Sequence, residues 1–182
     1  GVNLYAFVGN NPINSADLLG LLVTAVLDRE NNTFTITDND TKRTVTAKAF
    51  TGGHTTGGKI ISPGPYDGEI PAPNGTYNIV DNPNPKKGRE DWFGLLIQDS
   101  RMDDYLDDHL NENREPRSGV RLHMGTYSKG CVTISGQQEN AENKWKLIRD
   151  LLKETKKGEI EFITGPHFYN FSKKITNYGT LV

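Results

Sequence analysis

The most informative stretch of this chain, for both its fold and its chemistry, reads Gly119-Val-Arg-Leu-His123-Met-Gly-Thr-Tyr-Ser128-Lys-Gly130-Cys131-Val-Thr-Ile134. Two short segments with the apolar alternation of β-strands flank a turn of seven residues between His123 and Cys131. If the two segments pair as a hairpin, these two side chains lie side by side. The sequence therefore predicts a cysteine and a histidine in contact on neighbouring strands.

A thiol beside an imidazole is a nucleophile with its base. A free thiol has a pKa of about 8.5 and is only a few per cent thiolate at neutral pH, whereas an imidazole partner lowers that pKa by several units. Ser128 and Gly130 are small enough for a tight turn, whose backbone N–H groups would bind a developing oxyanion. Taken singly, Cys131 would be read as a small buried hydrophobe and His123 as a hydrogen-bonded strand residue. Their combination favours catalysis.

Outward from this stretch, the chain predicts more strands than helices. Val23–Asp28 and residues 33–37 and 43–50 alternate in the manner of a β-meander, with turn-forming residues between them. One amphipathic helix is expected over residues 137–156, capped by Ser135. Further strands are expected over residues 75–80, 92–97, 159–163 and 174–182.

The acidic segment 99–115 has apolar residues at a spacing that would line one face of a short, solvated helix. These apolar residues are Met102, Tyr105, Leu106 and Leu110. The segment could equally dock a partner or cover the site as a lid. The sequence leaves these alternatives open.

Composition excludes several classes of function. A chain of 182 residues with 34% hydrophobic content supports one domain, and a net charge of −2 without a basic tract argues against nucleic-acid binding. No apolar run is long enough to span a membrane. The single cysteine excludes an intrachain disulfide, and His54, His109 and His167 lie too far apart in sequence for a metal site. We expect neither a metal nor a cofactor.

The segment His123 with Ser128-Lys129-Gly130-Cys131-Val132 resembles the catalytic signature of L,D-transpeptidases, particularly of the small branch used as type VI secretion effectors. The segment 68–79, which ends in Gly75-Thr-Tyr77-Asn-Ile79, is similar to the lead into that signature. The resemblance implies an α+β, β-rich fold, an L,D-transpeptidase-like β-sandwich or barrel with one main helix.

The same resemblance assigns catalytic roles. Cys131 would be the acyl-accepting nucleophile and His123 the general base, with the carbonyl of Met124 orienting the imidazole. Gly130 and Cys131 would supply main-chain oxyanion donors, and Ser128 would shape the turn. This chain departs from the family pattern in three ways: Lys129 replaces the usual histidine, the spacing of eight residues from His123 to Cys131 is short, and Thr133 replaces an arginine or asparagine.

Five residues are candidates for substrate binding. Arg117 and Arg121 would clamp the terminal carboxylate of a stem peptide. Lys129 would bind a carboxylate or lower the thiol pKa. His54, in a glycine-rich stretch, would line the cleft, as would Tyr77 of the upstream element.

Residues 3–21 resemble the end of the Rhs/YD-repeat shell, with Asn-Leu-Tyr and Asn-Asn-Pro elements followed by Asp17, Gly20 and Leu21. Leu18 stands where that family usually has proline. The resemblance implies two parts, a shell end or linker over residues 1–21 with cleavage near Leu21, and a toxin domain over residues 22–182.

The expected function is that of an antibacterial toxin, secreted by the producer and acting in the periplasm of the target bacterium. It would act as an L,D-carboxypeptidase or exchange D-amino acids on tetrapeptide stems of peptidoglycan through a cysteine thioester. Its expected partners are peptidoglycan stem peptides, a cognate immunity protein and the Rhs shell of the parent chain. The alternatives are a cysteine peptidase or amidase that cuts elsewhere in peptidoglycan, and a non-catalytic wall- or partner-binding domain.

Overall fold

Twelve strands and one helix make up the part of the chain that the computed structural model describes, residues 22–99, 101–110, 116–164 and 171–182. The strands are β1 (Val23–Asp28), β2 (Thr33–Asp38), β3 (Thr44–Thr56), β4 (Lys59–Ile61), β5 (Tyr77–Asp81), β6 (Phe93–Ile97), β7 (Tyr105–Leu110), β8 (Pro116–Ser118), β9 (Arg121–Gly125), β10 (Tyr127–Ser135), β11 (Gly158–Thr164) and β12 (Phe171–Leu181), and the helix is α1 (Ala141–Glu154). The prediction of a β-rich α+β fold with one main helix is confirmed.

The first three strands form the predicted meander. β1 has the predicted bounds, and its buried residues alternate with more exposed ones, as expected for a strand with one face on the core. On the outer face, β2 and β3 are joined by threonine hydroxyl pairs, Thr35 with Thr46 at 3.2 Å and Thr37 with Thr44 at 3.0 Å. β3 runs six residues beyond its predicted end, because Gly52 and Gly53 bend the strand instead of ending it.

The sheet closes on itself. Its order is β1-β2-β3-β10-β9-β6-β5-β12, and the end of β12 also pairs with β1 in parallel, while β11 pairs with the earlier half of β12. Gly179 makes this closure possible, because its φ is +146° and a Cβ at this position would collide with the carbonyl oxygen of Val23. The long strand β12 therefore serves as the seam of the molecule.

Helix α1 covers one side of the core. Its buried face comprises Ala141, Trp145, Ile148, Leu151 and Leu152. The helix is shorter than predicted, because Ser135 still belongs to β10 and its hydroxyl accepts the Gln137 N–H in the following turn. Asn140 precedes the helix in the left-handed conformation, without a side-chain cap. No described helix has the length and apolarity that crossing a bilayer requires.

The prediction of a helix in the acidic segment is wrong. Residues 105–110 form β7, which pairs with β8 in a separate two-stranded sheet, with Leu106 opposite Arg117. Leu106 is buried in the main hydrophobic core, and the strand conformation of β7 places it there. Tertiary pairing has overridden a helical spacing of apolar residues. The shell-like segment 1–21, with the predicted cleavage point at Leu21, lies outside the described residues.

Candidate active site

The two strands that carry the candidate nucleophile and base are neighbours in the sheet, but they do not form a hairpin. β9 and β10 pair in parallel, with Leu122 opposite Val132 and His123 opposite Thr133. The hairpin prediction is therefore wrong in strand direction. Because alternate residues of a strand point to one face, Cys131 and His123 still share a face of the sheet, two positions out of register.

A bend in β3 makes this parallel pairing possible over so short a connection. Gly52 has φ +60° and Gly53 has φ +156°, and beyond them the chain turns back, so that Lys48 and Gly58 bind the adjacent side chains Gln138 and Gln137. The segment after β9 pairs with the far half of β3, where Tyr127 lies opposite His54. It then turns and enters the parallel register at Val132. The glycine-rich stretch thus positions the segment that precedes Cys131.

Ser128 organises the turn before the cysteine. Its buried hydroxyl donates to the Cys131 carbonyl oxygen at 2.7 Å and accepts the N–H groups of Gly130 and Gly52, both at 3.2 Å. Gly130 has φ +113°, and a Cβ there would overlap the guanidinium of Arg117. In this structure the Gly130 N–H, one of the two expected oxyanion donors, is thus directed at Ser128.

The imidazole of His123 is buried and held on several sides. Its Nδ1 lies 3.0 Å from the carbonyl oxygen of Met124, which makes Nδ1 the protonated nitrogen. Nε2 then carries the lone pair and lies 3.3 Å from the Thr133 hydroxyl. Burial lowers the pKa of His123, the bond to Met124 opposes this, and the charges of Arg89 and Asp91 act in opposite directions. The base is uncharged at neutral pH.

The thiol of Cys131 makes no hydrogen bond to His123, its expected partner. Among the described residues its thiol hydrogen-bonds weakly to the Gly119 carbonyl oxygen, with Sγ at 3.9 Å. Burial raises the pKa of the Cys131 thiol, although the backbone N–H and the charge of Arg121 lower it. The sequence predicted a thiol whose pKa an imidazole lowers. In this structure the thiol is neutral, and the change in pKa is in the opposite direction.

Arg121, a candidate substrate clamp, is engaged within the protein. Its guanidinium makes two bonds of 2.6 Å to the carboxylate of Asp104, and its Nε donates to Asn82 at 2.9 Å. The side chain is 8% exposed. Arg121 therefore adds positive charge near Cys131 and already binds a carboxylate of the protein.

Arg117 ties the loop of residues 62–72 to the site. Its guanidinium donates to the carbonyl oxygens of Pro71 at 2.8 Å and Ile70 at 3.0 Å. Burial lowers its pKa, and the charge of Cys131 acts against that change. Because Gly130 packs directly against this guanidinium, Arg117 lies between the loop and the turn of residues 128–131.

Of the other three candidate binding residues, Lys129 belongs to this turn, His54 lies opposite Tyr127 just before it, and Tyr77 belongs to the hydrophobic core. His54 binds the buried carboxylate of Glu69 through Nδ1 at 2.9 Å, and its ring lies 5.3 Å from that of Tyr66. The Tyr77 hydroxyl donates to Pro73, and burial raises its pKa to about 12. Lys129 is exposed at the tip of the turn.

Sequence reasoning missed three residues of the site. Trp92, expected only as the start of a strand, stacks on His123 with ring centroids 4.0 Å apart. Asp104, expected on a solvated face, holds Arg121, and Glu69 holds His54. Sequence could have marked Glu69, a carboxylate between apolar and glycine residues in a loop, but it carries no signal for the other two.

A cavity of about 330 Å³ lies behind the site. Its lining includes Tyr77, Val132, Ala72 and Arg29. Val132 follows Cys131 in β10 and so points to the opposite face from the thiol. Among the described residues, no group of His, Cys, Asp and Glu side chains gathers as a metal site, while His167 and the side chain of His109 fall outside those described.

The chain is similar to one protein family in sequence and to one solved enzyme in structure. A profile of the Tlde1 domain matches residues 33–161. No curated protein sequence matches significantly. An L,D-transpeptidase from Mycobacterium smegmatis is similar in structure, at 19% identity and a TM-score of 0.31, over 70% of this chain and 55% of that one. The chain thus spans about half the length of that enzyme.

Proposed function

Because the chain belongs to the Tlde1 domain family, a family of type VI secretion effectors related to L,D-transpeptidases, we propose that it is an antibacterial toxin that attacks peptidoglycan with the thiol of Cys131. The observation that supports this most is the shared face of Cys131 and His123 on β9 and β10, beside a turn organised by Ser128. A nucleophile and a base on adjacent strands are what acyl transfer by a cysteine enzyme requires.

The proposed reaction begins with rotation of the Cys131 thiol from Gly119 toward Nε2 of His123, which takes the thiol proton. Sγ attacks the carbonyl carbon between the third residue and the terminal D-alanine of a tetrapeptide stem. The N–H of Cys131, with that of Gly130 once released from Ser128, stabilises the oxyanion. The imidazolium returns its proton to the departing amine, D-alanine leaves, and a thioester remains.

The acceptor of the thioester determines the activity. Water gives an L,D-carboxypeptidase, and a free D-amino acid gives an exchanged stem. In both cases the amine or water loses a proton to His123 as Sγ leaves as the thiol. Both outcomes harm a target cell, because each removes a tetrapeptide that donates crosslinks.

The candidate binding residues take different parts in this proposal. Arg117 meets the substrate carboxylate, exchanging its bonds to the Ile70 and Pro71 carbonyls for a stronger charged one. Arg121 supplies positive charge beside the thiol while it stays bound to Asp104. Lys129 and His54 flank the approach to the turn, and Tyr77 supports the loop behind it.

The biological setting belongs to the same proposal. The toxin is delivered from the producer and acts in the periplasm of the target, where peptidoglycan stems are exposed. A cognate immunity protein blocks the cleft in cells that carry the toxin. Residues 1–21 are the end of an Rhs shell that cleavage near Leu21 separates from the toxin.

One observation favours a second candidate, a non-catalytic domain that binds the cell wall or a partner protein. Burial raises the pKa of Cys131 and its thiol is directed at Gly119, as expected for a structural cysteine. This candidate predicts that Cys131→Ala leaves toxicity intact.

The test is mass spectrometry of disaccharide-tetrapeptides incubated with the 182-residue chain, with and without added D-methionine. Loss of D-alanine from the wild type supports the carboxypeptidase, and incorporation of D-methionine supports exchange. Cys131→Ala and His123→Gln should lose both activities, and thermal unfolding should show that they fold. Cleavage at another bond would instead identify a peptidase or amidase, and intact stems throughout would contradict the enzymatic proposal.

A further inference from the structure

Trp92 forms a stacked pair with the candidate base. The indole and the imidazole of His123 are nearly parallel, at 11°, with centroids 4.0 Å apart. The guanidinium carbon of Arg89 lies 4.8 Å from the centre of the indole ring. The Trp92 indole is therefore in contact with both the guanidinium of Arg89 and the imidazole of His123.

The register of the sheet produces this pair. β6 pairs antiparallel with β9, with Phe93 opposite Leu122. Trp92, the residue just before β6, therefore lies next to His123, the residue after Leu122. Asp91 anchors the segment from the other side, since its carboxylate accepts the Trp145 indole N–H at 2.9 Å and binds Arg149 of α1 at 3.0 Å. The chain segment that carries Trp92 is thus attached to both the sheet and the helix.

The stack leaves the imidazole little freedom to rotate. Gly125 lies beside the ring, where a Cβ would be in ordinary contact with Cε1 at 3.4 Å. With Nδ1 bonded to Met124, rotation of the ring about its χ2 axis would break that bond and the stack together. The plane of the ring is therefore fixed before any substrate binds.

We infer that Trp92 is a positioning residue for His123: its indole holds the imidazole in the plane that directs Nε2 toward β10. The inference rests on the proposed function, because it treats His123 as the base. The charged groups that act on the imidazole are Arg89, which opposes its protonation, and Asp91, which favours it. On the same face lie the Cys131 thiol and the Arg121–Asp104 pair.

The pair can be observed without any substrate. The sequence contains two tryptophans, so Trp145→Phe leaves Trp92 as the only indole fluorophore. An imidazolium stacked on indole quenches its fluorescence. We expect Trp92 emission to fall as the pH drops below the ordinary histidine pKa of about 6.5, and Arg89→Gln to move the midpoint to higher pH. An emission that does not titrate, or that titrates unchanged in His123→Gln, overturns the inference.

The catalytic consequence is tested with Trp92→Ala and Trp92→Phe on disaccharide-tetrapeptides. Because the indole acts through the base, Trp92→Ala should lower kcat by about tenfold to a hundredfold, change KM little and move the acidic limb of the pH profile upward. Trp92→Phe, which keeps an aromatic face, should recover most of the loss. An unshifted profile, or an effect confined to KM, contradicts the inference. If the wild type leaves the stems intact while its Trp92 emission still titrates, the proposed function is wrong, but the contact between Trp92 and His123 stands.

Discussion

At the residue scale, the buried imidazole of His123 and the partly buried thiol of Cys131 share one face of the sheet, and neither is charged at neutral pH. Burial favours the uncharged form of any titratable group, so it raises the pKa of the Cys131 thiol and lowers that of the His123 imidazole. A thiolate–imidazolium pair is therefore not the resting state. In the proposed mechanism, proton transfer therefore belongs to the reaction itself, after the thiol has turned from Gly119 to Nε2.

This resting state predicts a pH dependence of stability. As the pH rises, the unfolded chain releases the Cys131 proton near the ordinary thiol pKa of about 8.5, before the folded chain does. The stability due to the neutral thiol is therefore present below that pH and lost as the pH rises above it. The free energy of unfolding of the wild type should fall relative to Cys131→Ala by up to about 1.4 kcal/mol per pH unit. Urea denaturation at pH 8, 9 and 10 measures this difference.

The comparison with Cys131→Ala removes the contributions of other groups, such as Tyr77 and Tyr178, that also titrate at alkaline pH. A constant difference between wild type and variant across this range would mean that the thiol pKa is not raised. His123→Gln provides the acidic counterpart. The wild type should lose stability relative to it as the pH falls below 6.5, because the unfolded chain binds the imidazole proton first.

At the element scale, several hydrogen bonds attach the loop of residues 62–72 to the strands around the turn of residues 128–131. Glu69 binds His54 of β3, Arg117 binds the carbonyls of Ile70 and Pro71, and the Ala72 N–H donates to Thr51 at 2.8 Å. Thr51 in turn donates to the Gly130 carbonyl at 3.3 Å. The loop and the turn therefore support each other.

Glu69→Ala should loosen this loop. The substitution leaves His54 and the Tyr66 N–H without their acceptor in a buried setting, at a cost of about 1–3 kcal/mol. Hydrogen exchange of residues 62–72 should increase, and that of β1 and β2 should not. Asp67→Ala is the matched control, because Asp67 is an exposed acid of the same loop. Equal exchange in the two variants would contradict a role for Glu69 in holding the loop.

The elements also show what the sequence could predict. The alternation of apolar residues predicted the strands around His123 and Cys131, because a strand with one buried face requires it whatever its partner. The direction of pairing could not be predicted, since it depends on a bend at Gly52 and Gly53 in a strand some seventy residues earlier. The stacking of Trp92 depends on the register of β6 with β9, which also links distant segments.

At the scale of the whole molecule, the closed sheet depends on the contact of β12 with β1. Gly179 lies opposite Val23 in that pairing, and there is no room for a side chain. The strands that carry the site are in the same closed sheet, on the side away from this seam. Stability and catalysis can therefore be perturbed separately.

Gly179→Ala should destabilise the fold by about 2–4 kcal/mol, because a methyl group would force β1 and β12 apart. Thermal and urea denaturation measure the loss. Gly158→Ala on the neighbouring β11 is the matched control, since a Cβ there meets Leu22 only at 3.8 Å. If the two variants unfold alike, the seam does not have the importance assigned to it.

The parallel pairing of β9 and β10 affects how this site can change in evolution. In a hairpin the number of turn residues fixes which side chains face each other, so an insertion or deletion displaces one strand against the other. Here the connection follows the bent strand β3, with Tyr127 opposite His54 and Val132 opposite Thr51, so the number of connecting residues does not by itself set the match between Leu122 and Val132. The short spacing of eight residues between His123 and Cys131 therefore does not measure their separation in space. A related domain with a different number of connecting residues can therefore keep the same match between β9 and β10, provided that the turn from Ser128 to Cys131 is preserved.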